Sequence, residues 1–187
     1  KLMNKNLEEE IYKNIIKKTF YGLRKDKIDY RGVIFFGLMI KNNKPHVIEY
    51  NVRFGDPECQ TLLRDLKTDL LDIFLATIED ELSKIKISKY NMKVICVVLA
   101  SLGYPGNYQK NKLLKNLDKV KKSNNIEVFH AGTKLVKNKF YSNGGRVLCI
   151  TARSTTLENA RRMVYKTIKA INWKNGFYRK DIGIKNK

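Results

Sequence analysis

The chain has 187 residues, enough to bury one ordinary domain or two small ones. With 43% hydrophobic and 30% charged residues it reads as globular rather than disordered. Its formal net charge of +20 invites a nucleic-acid reading, yet only nine of the 38 basic residues are arginine. The lysines are spread along the whole chain without a zinc finger, a basic-region heptad or an aromatic RNA-binding motif, so nucleic acid is not the expected partner. Anionic small substrates, phosphates above all, suit the charge equally well. The longest apolar runs, 33–40 and 94–102, are too short to span a bilayer, and no secretory pattern opens the chain. It does not begin with methionine, which suggests a fragment or a processed product. Cys59, Cys96 and Cys149 form no CxxC pair and no His/Cys cluster, so a reducing cytosol, and hence a cytoplasmic protein, is expected.

In chain order, residues 8–23 place Ile11, Ile15, Ile16, Phe20 and Leu23 on one helical face, with Gly22 and the charged run beyond it ending the helix. Residues 32–40 are β-branched and aromatic and predict a buried strand. Lys41-Asn42-Asn43-Lys44 is a turn and 47–54 a second strand, so the two make a hairpin. Gly55-Asp56-Pro57 breaks it, with Pro57 suited to a first helical position, and 58–82 carries leucines at helical spacing. The polar stretch 84–93 is a connector. Beyond it, 94–100 predicts a strand and Gly103-Tyr104-Pro105-Gly106 a tight loop. Short strands follow at 128–130, 133–136, 140–141 and 146–151, with Asn143-Gly144-Gly145 as a hairpin turn between the last two. Residues 156–171 form an amphipathic helix with Leu157, Ala160, Val164, Ile168 and Ile171 inward. The class is α+β: a helix, hairpin and helix, then a small β-rich unit closed by a helix.

Chemistry concentrates on residues 47–54. By the period of two, Ile48, Tyr50, Val52 and Phe54 share a core face, while Glu49, Asn51 and Arg53 share the other with Val47. A hard cation bound with nucleotide phosphates uses one or two protein oxygens, which Glu49 and Asn51 can supply, while Arg53 can pair with a carboxylate or phosphate in a bidentate way. A solvated strand face with a Glu/Arg pair explains the same pattern.

The run Glu49-Tyr50-Asn51-Val52-Arg53-Phe54-Gly55-Asp56-Pro57-Glu58 resembles the metal-binding strand and turn of the glycinamide ribonucleotide synthetases, within the ATP-grasp superfamily. Further motifs resemble the same family in matching order. These are Asp29-Tyr30-Arg31-Gly32-Val33, Lys67-Thr68-Asp69-Leu70, Gly103-Tyr104-Pro105-Gly106, Phe129-His130-Ala131-Gly132-Thr133, Gly144-Gly145-Arg146-Val147-Leu148 and Tyr178-Arg179-Lys180-Asp181-Ile182-Gly183. The resemblance covers nearly everything from about Thr19 to Gly183.

The resemblance implies that residues 1–92 are the C-terminal part of an ATP-grasp domain and 93–187 a small β-rich C-terminal domain. The missing N-terminal part of the same enzyme would then be its partner. The implied reaction joins glycine to 5-phosphoribosylamine with ATP, through glycyl phosphate, to give glycinamide ribonucleotide, ADP and phosphate. Glu49 and Asn51 match the metal ligands, for Mg²⁺ or Mn²⁺. Arg53 matches a clamp on the transferred phosphate, and Asp56 is a candidate for the glycine ammonium or else a helix N-cap. Glu58 has the same ambiguity as a first-turn acid. Arg179 and Lys180 resemble a phosphate-binding basic pair, with an ordinary surface pair as the alternative; Arg146 is assigned to the substrate cleft and His130 to a structural hydrogen bond. Asn111 stands where the family commonly has glycine, a position that asparagine tolerates in a left-handed turn. Another ATP-grasp carboxylate–amine ligase, an inactive fragment and a basic nucleic-acid-binding module are the competing readings.

Overall fold

The computed structural model describes residues 3–118, 120 and 123–184. In chain order the elements are α1 (Lys5–Ile11), a π-helical turn (Tyr12–Ile16), α2 (Lys17–Lys25), β1 (Phe35–Lys41), β2 (Lys44–Asn51), α3 (Glu58–Asp65), α4 (Leu70–Ile78) and a 3₁₀ turn (Leu82–Lys84). They continue with β3 (Lys93–Ser101), β4 (Ile126–His130), β5 (Thr133–Val136), β6 (Lys139–Ser142), β7 (Arg146–Ser154), α5 (Leu157–Ile171) and β8 (Gly176–Phe177). Two compact units result: Lys1–Gly55 with Asp69–Lys86, and Asp56–Thr68 with Ile87–Lys187.

In the first unit Asn4 caps α1 by accepting from the Leu7 N–H at 2.9 Å, and Leu7, Ile11 and Ile15 are buried. The π turn inserts a residue and turns the following stripe aside, so Phe20, expected on the buried face, stands exposed. β1 and β2 pair antiparallel through a tight turn in which Asn42 and Asn43 both take left-handed angles, φ 51° and 58°. Two consecutive left-handed residues are what a two-residue hairpin with the right twist requires. The expected core face is not covered: Ile48, Tyr50 and Val52 are 62, 52 and 73% exposed. A two-stranded ribbon offers too little surface to bury a face on its own. α4 closes the unit, capped by Asp69, whose side chain accepts from the Leu71 N–H at 2.8 Å.

Residues 58–82 do not make one helix. α3 ends as Leu66 turns extended, and 66–68 runs beside 88–90 with a Leu66–Lys89 bridge and a Lys67 N–H to Ser88 oxygen bond of 3.0 Å. The leucine spacing continues through the break, but α3 and α4 serve different units.

The second unit is built on a four-stranded antiparallel sheet in the order β4-β7-β3-β8. One face carries Ile95, Val97, Leu99, Leu148, Ile150 and Ala152, and these pack with Ala160, Val164, Ile168 and Ile171 of α5 into one core. Thr156 caps α5 at its start, and left-handed Asn172, φ 48°, ends it. The other face carries Cys96, Val98, Cys149 and Thr151, and α3 packs over β3 and β7 with Gln60 Nε2 donating to Cys149 Sγ at 3.8 Å. Cys96 and Cys149, remote in sequence, thus become diagonal neighbours; a hydrogen bond from Cys96 holds the Cys149 thiol down and Cys96 up.

β5 and β6 form a separate hairpin. β6 does not pair with β7, so Asn143-Gly144-Gly145 is no hairpin turn. It is a crossing point instead, where Asn143 N–H donates to Gly132 oxygen at 2.7 Å and Gly132 N–H to Arg146 oxygen at 2.9 Å. A Cβ on Gly132 would lie 2.7 Å from the Gly144 Cα, so the two backbones meet only because both residues lack one.

Candidate active site

Glu49 lies near the end of β2, opposite Gly37, and Asn51 is opposite Phe35. Since Gly37 and Phe35 are two apart on β1, Glu49 and Asn51 project from the same face of the ribbon, as the alternation predicted. The register slips between Gly37 and Leu38, leaving Ile48 without a cross-strand partner. This bulge reverses the alternation, so Val47, opposite Leu38, lies on the other face with Tyr50 and Phe36, not beside Glu49. Phe36 and Tyr50 rings meet edge-on at 5.4 Å, which anchors that second face. Gly37 was not marked by the sequence reading, yet it shapes the Glu49 face. A Cβ there would come within 2.8 Å of the Glu49 Cγ, so the acidic side chain lies in a cradle that only glycine leaves open. β2 stops at Asn51, and Arg53 falls in the bend after it, its Nη1 donating to the Phe54 oxygen at 3.0 Å.

The remaining candidates belong to the second unit. Asp56 is not an N-cap: α3 begins at Glu58 with no side-chain cap, and Pro57 occupies the cap position rather than the first turn. The Asp56 carboxylate instead accepts from Gln60 Nε2 at 3.1 Å and pairs with Arg146 Nη2 at 3.1 Å. Arg146 Nη1 also donates to the Asp56 backbone oxygen at 2.9 Å. One guanidinium at the start of β7 therefore grips both ends of the residue that leads into α3. The pair is 40 and 44% exposed, so its worth lies in orientation more than in stability. Glu58 sits exposed in the first turn of α3, where a negative charge suits the helix dipole.

Arg179 forks onto Asp181, with Nε donating to Oδ1 at 3.0 Å and Nη2 to Oδ2. That bond raises the arginine above its ordinary range and lowers the aspartate. Arg161 secures the same segment, donating to the Lys180 oxygen at 2.8 Å and the Ile182 oxygen at 3.1 Å, while the Tyr165 hydroxyl donates to the Arg179 oxygen at 2.8 Å. The Arg179 and Lys180 side chains are exposed on this fastened backbone. His130 has the structural partner expected of it: Nδ1 lies 3.0 Å from Thr133 Oγ1, and the ring rests 4.4 Å from that of Phe140. Burial pushes the imidazole below its ordinary value. Asn111 takes the left-handed angle its position calls for, φ 61°.

Comparison with known proteins matches residues 1–59 to the phosphoribosylglycinamide synthetase ATP-grasp (A) domain and 94–185 to the C domain of the same synthetase. A phosphoribosylamine–glycine ligase from Fusobacterium nucleatum is 41% identical over 181 residues, covering 96% of this chain and 42% of the relative. That of Agrobacterium fabrum is 43% identical, covering 97% and 43%. The trifunctional purine biosynthetic protein adenosine-3 of Gallus gallus is 44% identical, over 97% of this chain and 18% of its own length. In structure the chain is similar to the phosphoribosylamine–glycine ligase of Thermotoga maritima, with a TM-score of 0.77 at 29% identity, covering 94% of this chain and 42% of the other. The chain thus spans less than half the length of these relatives. In its motifs, its mixed helix and antiparallel-sheet fold and these matches, the chain belongs to the phosphoribosylamine–glycine ligase family, a family of ATP-grasp ligases.

Proposed function

We propose that this chain supplies the last part of the ATP-grasp domain (1–92) and the C-terminal domain (93–187) of an enzyme that ligates glycine to 5-phosphoribosylamine at the expense of ATP. The products are glycinamide ribonucleotide, ADP and phosphate. The observation that carries this reading is the Glu49–Asn51 face beside Gly37. It sets a carboxylate and an amide oxygen two residues apart on one exposed face, roughly 6.8 Å at strand spacing, close enough for their oxygens to converge on one hard cation.

Mg²⁺ or Mn²⁺ held there would neutralise phosphate charge during phosphoryl transfer. Glu49 and Asn51 orient that charge, and Arg53 gives up its weak bond to the Phe54 oxygen to clamp the transferred phosphate. Asp56, held by Arg146, is positioned for the glycine ammonium. Arg179 and Lys180 bind the substrate phosphate; Asp181 keeps the Arg179 fork pre-formed and must yield part of it. Upstream residues of the full enzyme complete the nucleotide site and are this chain's partner. A reducing, cytoplasmic setting goes with this reading, as the wide spacing of Cys59, Cys96 and Cys149 in the sequence implies.

The test is glycine- and phosphoribosylamine-dependent ATP consumption by the chain extended upstream to full length, with Glu49→Gln beside it. A loss of about a hundredfold to a thousandfold in kcat is expected, the scale of removing one charge-stabilising group in a preorganised site. Near-normal turnover in Glu49→Gln would sink the ligand assignment. Turnover independent of glycine or phosphoribosylamine would point to a different ATP-grasp ligase.

A further inference from the structure

One helix holds the chain that follows β8. Arg161 and Tyr165 stand four residues apart on α5, hence on one face, and the Arg161 guanidinium lies 4.7 Å over the Tyr165 ring. From there Tyr165 donates to the Arg179 oxygen at 2.8 Å, and Arg161 donates to the Lys180 and Ile182 oxygens at 2.8 and 3.1 Å. The carbonyl between them, that of Asp181, accepts from the Ile184 N–H at 3.1 Å. Every carbonyl from Arg179 to Ile182 is therefore engaged. Burial pushes the Tyr165 hydroxyl above its ordinary value, so it keeps its proton and remains a donor.

The segment is also pinned on the sheet side. Ile182 packs against the core of the second unit. Gly183, φ 75°, passes so close to β3 that a Cβ would lie 2.6 Å from the Ile95 Cδ1. An extended backbone would send the Arg179 and Lys180 side chains to opposite faces. This backbone bends at Lys180, and both side chains stay exposed. A basic pair that closes on an anion must otherwise give up backbone freedom at that moment. Here the helix has already fixed the backbone, which is how preorganisation raises affinity.

We propose that Arg161 and Tyr165 are positioning residues for the phosphate of 5-phosphoribosylamine, acting through the backbone that carries Arg179 and Lys180. The proposal rests on the assignment of those two side chains to the substrate phosphate. Arg161 and Tyr165 touch no substrate; they fix the angle from which the basic pair meets it. An arginine is required at 161 because its planar fork spans two carbonyls at once. Lysine, a point charge on a flexible stem, keeps the charge but not that span.

The experiment measures steady-state kinetics of the full-length enzyme, varying 5-phosphoribosylamine, ATP and glycine in turn. Tyr165→Phe and Arg161→Lys should each raise the KM for 5-phosphoribosylamine about threefold to tenfold, the worth of one or two hydrogen bonds. The kcat and the KM values for ATP and glycine should stay as they were. Replacing Arg179 and Lys180 together by alanine should raise the same KM further, and Tyr165→Phe added to that variant should change nothing more. Tyr165→Phe keeps the ring and its packing, so it decides alone if Arg161→Lys does not fold. An unchanged KM in Tyr165→Phe, an effect that persists without the basic pair, or an equal rise for ATP and glycine would overturn the proposal. A normal KM in the double-alanine variant would instead sink the assignment of Arg179 and Lys180 itself, and this inference with it.

Discussion

The Glu49 side chain lies where a methyl group on residue 37 would stand, with only 2.8 Å between that position and its Cγ. Gly37→Ala must therefore turn Glu49 aside, while the strand itself gains from losing a glycine. The expected result in the full-length enzyme is a split: kcat/KM falls about tenfold to a hundredfold, as for a misplaced catalytic group, with little change in melting temperature. Unchanged kcat/KM would mean that Glu49 serves from another rotamer or not at all. At this scale the sequence was read correctly where the strand is regular. The period of two put Glu49 and Asn51 on one face. It failed at Val47 because a bulge at Ile48 has no side-chain signature of its own, and it overran at Arg53, which lies past the end of β2. Asp56 was misread as a possible cap for a related reason: nothing local announces that Arg146, 90 positions away, will hold it.

Among the elements, those with a complete internal pattern were legible. The α5 stripe and the strands 94–100 and 146–151 appear nearly as expected because each buries one continuous face. The stretch 58–82 misled because its leucines keep helical spacing across a break that tertiary bonds to 88–90 impose. Thr68-Asp69, a start signal for α4, was the available warning. The β4–β5 corner offers a prediction of its own. Burial lowers the folded-state pKa of His130 below the ordinary 6.5 of the unfolded chain. The unfolded state then binds the proton more readily, so this contribution is full above pH 6.5 and is lost as pH falls through the folded value. A proton titration of His130 should give a midpoint below 6.5, and His130→Phe should flatten the decline of the urea midpoint between about pH 7 and 5. A titration at or above 6.5 would refute the burial argument.

For the whole molecule, the family motifs were legible from end to end, but the interleaving of the two units was not. Composition shifts near the 84–93 connector, whereas packing also assigns Asp56–Thr68 to the second unit. A fragment of residues 93–187 would leave the Cys96–Thr151 face of the sheet without α3. We expect it to bind hydrophobic dyes and to aggregate, whereas a fragment of residues 56–187 stays monodisperse with a cooperative thermal transition. Equal behaviour of the two by light scattering would show that α3 is dispensable.

Because α3 is lent to the second unit from between two segments of the first, the chain passes from one unit to the other after Gly55, after Thr68 and after Lys86. No single cut yields two self-sufficient pieces. In evolutionary terms, a recombination joint placed in the connector would strand a sheet without its cover, so the 56–68 segment and the sheet it covers must be inherited together. A free peptide of residues 56–68 should for the same reason rescue the truncated 93–187 fragment by complementation.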